Sequence, residues 1–421
     1  MNLFDILKAR AGVPAHDPMA VLFARSLSPQ PSVQHYGMKW AKNNPDPAAR
    51  CTYFGDCAGF TPAQCQSDGS VNLGSWAAAN AFFLVNNYPA MIKPDGTIDY
   101  LLDPDDHSKK LDGTASNVDN HATDNAMSVF DCHIWMKWYE DDTYQYVEIA
   151  NSKLDEDFVD FPYHRADGTV NDKLFYPMYE GTIDGNGKLR SLSGSKPQSY
   201  LEGYATAEQA AAQRNGTNWQ IGDWAHHLWF TLLCMMVSKS TCPELALGEG
   251  NTNGGSNATG FCTNGECNTV GQFYGKPRST TNAENNQPCK AFYVENYQAN
   301  RSKRTLGFYN IYGIYYVKMI PPFTTNGTYA NYTNCGAVPS ANNWSKDLKV
   351  NSCGFMTSSV GSPASATTYQ GAYFYQDDSR NNLLLVGGYC DGGAACGLWY
   401  LDAFSGPWSR HWAVGASLYL R

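Results

Sequence analysis

The chain has 421 residues, enough to bury a large core and to form more than one domain. Aromatic residues make up 14% and charged residues only 16%, the reverse of a disordered chain. The net charge of −9 argues against a nucleic-acid partner, which would favour a basic face, so none is expected.

Residues 1–27 read as two short helices. Leu3, Phe4, Ile6 and Leu7 give the first an apolar face; Asp17 caps the second, with Pro18 at its first position. Met1–Arg10 contains Asp5, Lys8 and Arg10 and lacks the apolar core of a secretion signal. The longest apolar stretch, Leu228–Val237, is too short to span a bilayer, so no membrane insertion is expected. A Ser/Pro linker, Ser26–Ser32, completes an N-terminal anchor over residues 1–32. A β-rich region follows over residues 33–170. There Phe130, Cys132, Ile134, Met136 and Trp138 alternate, Glu140-Asp141-Asp142 turns the chain, and Tyr144–Ile149 returns as a hairpin. Asp103–Asp124 is acid-rich without EF-hand spacing, and reads as a solvated loop with no metal.

Residues 171–421 open with two helices. Thr206 and Gln209 form a capping box for Ala207–Arg214, and Asp223 caps a helix carrying Trp224, His227, Leu228, Leu232 and Met235. His226 and His227 are adjacent and point to different helix faces, which suits core or surface packing better than a shared metal. Residues 244–290 read as Gly/Asn-rich loop. Cys262, Cys267 and Cys289 lack the matched pairs of a zinc site. From Ala291 onward short aromatic strands alternate with loops. The thirteen cysteines are odd in number and scattered, and read mostly as reduced thiols.

The end of the chain carries the strongest signal. Leu383–Val386 is an apolar run broken by Gly387-Gly388. Beyond it, regular positions (Gly397, Leu398, Tyr400, Trp412, Val414, Gly415, Ala416, Leu418) alternate with chemically unrelated ones (Tyr389, Asp391, Ala395, Asp402, Phe404, Ser405, Arg410, His411, Ala413). A fixed frame carrying arbitrary side chains suits recognition rather than catalysis. Phe404 and Trp408 sit in a Ser/Gly loop where burial is hard to arrange, and exposed aromatics beside an Arg have the composition of binding hot spots.

Residues 387–418 resemble the variable segment of proteins diversified by retroelements, which mutate template adenines so that AAC codons become NNC. Without a gap, the family's template Asn positions fall on Tyr389, Asp391, Gly392, Ala395, Asp402, Phe404, Ser405, His411 and Ala413, all of them residues that NNC encodes. Cys390, Cys396, Leu401 and Ser417 depart from the pattern. Tyr36-Gly37-Met38, Ala58–Pro62, Gly74-Ser75-Trp76, Tyr179-Glu180-Gly181, Lys188–Pro197 and Leu306–Gly313 are similar to stretches of phage tail or fibre proteins bearing such segments. The resemblance implies an α+β fold in which residues 171–421 form a C-type-lectin-like domain of short mixed strands, two helices and long loops. It implies a phage tail or fibre tip, made in the host cytoplasm, that binds a cell-surface protein or glycan. Attachment to other virion proteins would run through the N-terminal region, with a homo-oligomer such as a trimer expected. The binding residues it implies are Tyr389, Cys390, Asp391, Gly392, Ala395, Trp399, Asp402, Phe404, Ser405, Trp408, Arg410, His411 and Ala413, with no cofactor and no catalytic step.

Two alternatives stand beside this reading. One is a formylglycine-generating-type oxidase, whose paired cysteines would correspond to Cys390 and Cys396, although the spacing differs and no basic run follows. The other is a bacterial surface adhesin, which the missing signal peptide disfavours.

Overall fold

In the computed structural model, residues 32–197, 204–278 and 286–421 are described. The two helices expected within residues 1–27 lie outside them. The chain is mostly β-structure, 34% strand against 12% helix, with four α-helices among the described residues. This overturns the expected α+β, C-type-lectin-like architecture. Two observations account for the difference. The apolar periodicity of the C-terminal half is that of long antiparallel strands, which pair with one another into one large sheet. The principal helix, in turn, is enclosed by sheets instead of flanking one.

That sheet runs in the order Thr333–Ala337, Ile314–Val317, Ser302–Ile311, Asn381–Gly387, Gly397–Ala403, Tyr373–Gln376, Asn343–Asn351, Gly354–Val360, and curls into a nearly closed barrel. All neighbours are antiparallel except Tyr373–Gln376 and Gly397–Ala403. A short strand, Val414–Gly415, adds in parallel beside Ser302-Lys303.

A second sheet of four strands contains the expected hairpin. Trp135–Glu140 pairs with Tyr144–Ala150, and Asp141 Oδ1 accepts from the backbone N–H groups of Thr143 and Tyr144 (both 2.7 Å) to make the turn. Met136, Val147 and Ile149 face inward and are buried. Phe130 does not continue that hairpin; it ends the strand Asn125–Phe130 in a third sheet. This six-stranded sheet pairs strands from both sides of residue 170: Asn87–Ile92, Ile98–Leu101 and Asn125–Phe130 lie with Leu174–Pro177, Trp219–Ile221 and Leu418–Leu420.

The helix Trp224–Ser238 is apolar nearly all round and is buried along almost its whole length. It fills the space between the four-stranded sheet and the barrel. Trp229 meets Trp138 at 5.7 Å, and Trp224 meets Phe308 at 4.6 Å. Asp223 caps it as expected, accepting from His226 N at 3.1 Å. The Asp223 carboxylate also receives Arg421 in a two-point ion pair (3.0 and 2.7 Å) and His226 Nδ1 at 2.7 Å. Burial alone would raise this acid, but Arg421 and His226 hold it well below the usual carboxylate range. His226 is a core group, and His227, half-buried, bonds Leu398 O at 2.9 Å. The other expected helix spans Tyr204–Gln213, with Thr206 inside it.

Candidate functional site

The segment 387–418 is built onto the outer face and one end of the barrel. Gly387 (φ +89°) and Gly388 (φ +81°) turn the chain out of its strand. A Cβ on Gly388 would lie 2.4 Å from Cys396 Sγ, so the turn needs glycine on both counts. The following loop is tied down through its backbone. Cys390 N donates to Asn300 O (3.0 Å), Cys390 O accepts from Gly254 N (2.7 Å), and Gly393 N donates to Thr252 O (2.9 Å). After the strand Gly397–Ala403, Asp402 Oδ1 accepts from Phe404 N (2.8 Å) and Ser405 N (3.1 Å), turning the chain again. Buried arginines anchor the return. Arg304 donates to Ser409 O (2.5 Å) and pairs with Glu208 (2.6 Å), and Arg301 donates to Ala416 O (2.6 Å). The Arg301 guanidinium fills the space a Cβ on Gly415 would need.

On this frame Asp391, Phe404, Trp408, Arg410 and His411 are exposed, with Phe404 at 48% and Trp408 at 51%. Tyr389, Gly392, Ala395, Asp402 and Ser405 are half-buried. Cys390, Trp399 and Ala413 are buried and leave the binding set. Trp399 shares the inward parity of Leu401 and meets Phe355 at 6.4 Å inside the barrel. Cys390 is drawn under the loop by its three backbone bonds, and Ala413 by the bond from Ser302 N to its carbonyl (2.9 Å). Among the frame residues Leu418 is buried. Trp412 is only half-buried, packed between Tyr389 and Phe261 with both ring distances 5.8 Å.

Two groups of residues that the sequence did not single out join this surface. The strand Tyr373–Gln376 buries Phe374 inside the barrel and turns Tyr373 and Tyr375 outward, half-exposed. Tyr375 is in register with Asp402. Ring contacts run Trp344 to Tyr373 (5.5 Å), Tyr373 to Tyr375 (4.7 Å) and Tyr375 to Tyr400 (5.8 Å), and Tyr389 lies close enough to Tyr375 to act on its charge. Burial raises the phenols of Tyr375 and Tyr389 above their ordinary value, so both present neutral hydroxyls. Burial also raises the Asp402 carboxyl, against the pull of its backbone donors.

At the end of the barrel, turns of successive strands bring Tyr312, 65% exposed, beside Arg380, whose carbonyl accepts from Tyr312 N (3.3 Å). Arg380 lies over the Phe404 ring at 5.2 Å and donates to Asp377 Oδ2 at 2.5 Å. Trp408 closes the group against Gly327. Tyr312, Trp408 and Phe404 are three of the most exposed large apolar side chains among the described residues. The available signal for Tyr312 was an aromatic residue just before Gly313, in a turn that ordinarily takes small polar residues.

Cys390 and Cys396 are buried, and burial pushes both thiols up to about 12. A nucleophilic cysteine requires the opposite shift. Elsewhere, Asp99 of the strand Ile98–Leu101 and His121 and Asp124 of the acidic stretch offer side-chain atoms within 4.8 Å of one another. His121 Nδ1 accepts from Thr123 N (3.3 Å) and Asp124 N (2.9 Å), which places its proton on Nε2, facing Asp124 at 3.5 Å. Both ring nitrogens are thereby used within the loop.

No protein-family model matches the chain, and no curated protein matches it.

Proposed function

We propose that this protein is a ligand-binding protein whose recognition surface is the barrel end and the outer strand face around residues 387–418. The observation that carries the reading is the exposed set Phe404, Trp408 and Tyr312 around Arg380, continued by Tyr375, Tyr389 and Asp402. Aromatic rings, neutral phenols and an arginine give rigid contact area with hydrogen-bonding edges, the chemistry of binding hot spots. The same segment resembles those diversified by retroelements. That likeness supports a receptor-binding role at a phage tail or fibre tip, with side chains exchanged on a fixed frame to change the target. The reading takes the segment pattern alone, without the lectin fold. It involves no catalytic step, and the raised thiols of Cys390 and Cys396 favour it over the oxidase.

The test is binding of the fluorescently labelled protein to a panel of bacterial strains, repeated with Phe404→Ala, Trp408→Ala and Arg380→Ala. Saturable binding to particular strains that each variant weakens at least tenfold supports the reading. Binding to every strain alike, or binding unchanged in all three variants, removes it.

A further inference from the structure

The two ends of the barrel sheet do not share a backbone ladder among the described residues: Thr333–Ala337 pairs only with Ile314–Val317, and Gly354–Val360 only with Asn343–Asn351. Side chains span the gap. Lys349 Nζ donates to Ala337 O at 2.7 Å and lies over the Tyr315 ring at 4.9 Å, and Tyr315 Oη donates to Thr357 O at 3.1 Å. Cys335 stands on one edge strand, at the irregularity opposite Tyr315. Cys353 stands in the turn that opens the other. Both are free thiols of the same core cluster, and they lie close enough across the seam for each to act on the other's charge.

We propose that Cys335 and Cys353 are a disulfide-forming pair that closes the barrel seam when the protein meets a low-molecular-weight disulfide such as oxidised glutathione. The Cys353 thiolate attacks one glutathione sulfur, the glutathione S–S bond breaks, and one glutathione leaves as a thiolate that takes a proton from water. Cys335 then gives its proton to solvent and attacks the Cys353 sulfur of the mixed disulfide, releasing the second glutathione. Two protein thiols are oxidised to one disulfide, and one glutathione disulfide is reduced to two thiols. The order of attack follows from the local chemistry. The neighbouring Cys335 thiol holds Cys353 below its ordinary value despite burial, while Cys335 is itself held above by Cys353 and by burial. By contrast, burial pushes Cys51, Cys289, Cys390 and Cys396 up to about 12.

The experiment incubates the reduced full chain with oxidised glutathione at neutral pH, followed by non-reducing peptide mapping by mass spectrometry and a thermal melt. The expected product has lost two hydrogen atoms, contains linked peptides carrying Cys335 and Cys353, melts at a higher temperature, and reverts with dithiothreitol. Cys335→Ser should stop at glutathione on Cys353, and Cys353→Ser should give neither product. A link between other cysteines overturns the proposal. So does glutathione accumulating on Cys353 of the natural chain without closure, or a folded chain that does not react while the unfolded chain does. Because the products are read on the natural chain, the result stands even if a variant fails to fold.

Discussion

Trp399 and Phe404 lie five positions apart in one segment, and the structure gives them opposite duties. Trp399 is 1% exposed inside the barrel, whereas Phe404 is 48% exposed at its end. Replacing a fully buried Trp by Ala costs about 3–5 kcal/mol in lost burial and cavity. The indole Nε1 of Trp399 has no hydrogen-bond partner among the described residues, so its removal leaves no polar group stranded and the lower half of that range applies. Phe404→Ala or Trp408→Ala opens no cavity, because water fills the space, and should cost about 1 kcal/mol or less. For a cooperative unit of 421 residues the unfolding entropy is about 0.9 kcal/mol per kelvin. The expected shifts are then about 3–4 °C for Trp399→Ala and about 1 °C for the other two. Differential scanning calorimetry on the three variants measures this. A Phe404→Ala or Trp408→Ala loss as large as that of Trp399→Ala would refute the division between frame and display.

Arg421→Ala leaves Asp223 charged and buried, and should destabilise by about 3–5 kcal/mol in denaturant titrations. Because Asp223 is held below its unfolded value, its contribution is complete above about pH 4 and is lost as pH falls through the folded value; the variant should show a flatter acid limb. Glu244 behaves oppositely. Burial raises it to about 7 although Arg278 pulls the other way, so between about pH 4.5 and 7 unfolding releases its proton and stability falls as pH rises. Glu244→Gln should remove about 3 kcal/mol of that fall, seen as a flatter dependence of melting temperature on pH. Cys390 and Cys396 should resist iodoacetamide at neutral pH in the folded chain; rapid alkylation of either would contradict their burial.

What the sequence made legible is mostly local. The Asp223 cap, the hairpin turn at Asp141 and the Gly387-Gly388 break each depend on a few neighbouring residues with one physical role. The phase of Trp399 was not legible, because Leu398, Trp399 and Tyr400 are all buried and a strand covered on both faces shows no alternation. The aromatic row through Trp344, Tyr373 and Tyr375 depends on a parallel pairing between Tyr373–Gln376 and Gly397–Ala403 that no local pattern encodes. Fold class failed for the same reason. The short aromatic strands were recognisable one by one, but their order in a single sheet is a property of long-range pairing.

The central claim is that residues 387–418 form a fixed frame displaying exchangeable side chains. Sequencing this segment and its flanking DNA across natural isolates tests it most directly. The account predicts substitutions concentrated at Tyr389, Asp391, Asp402, Phe404, Ser405 and His411, with Gly387, Gly388, Leu398 and Leu418 unchanged. It also predicts a nearby adenine-rich copy of the segment beside a reverse transcriptase. Substitutions spread evenly over exposed and buried positions, with no such copy, would contradict it.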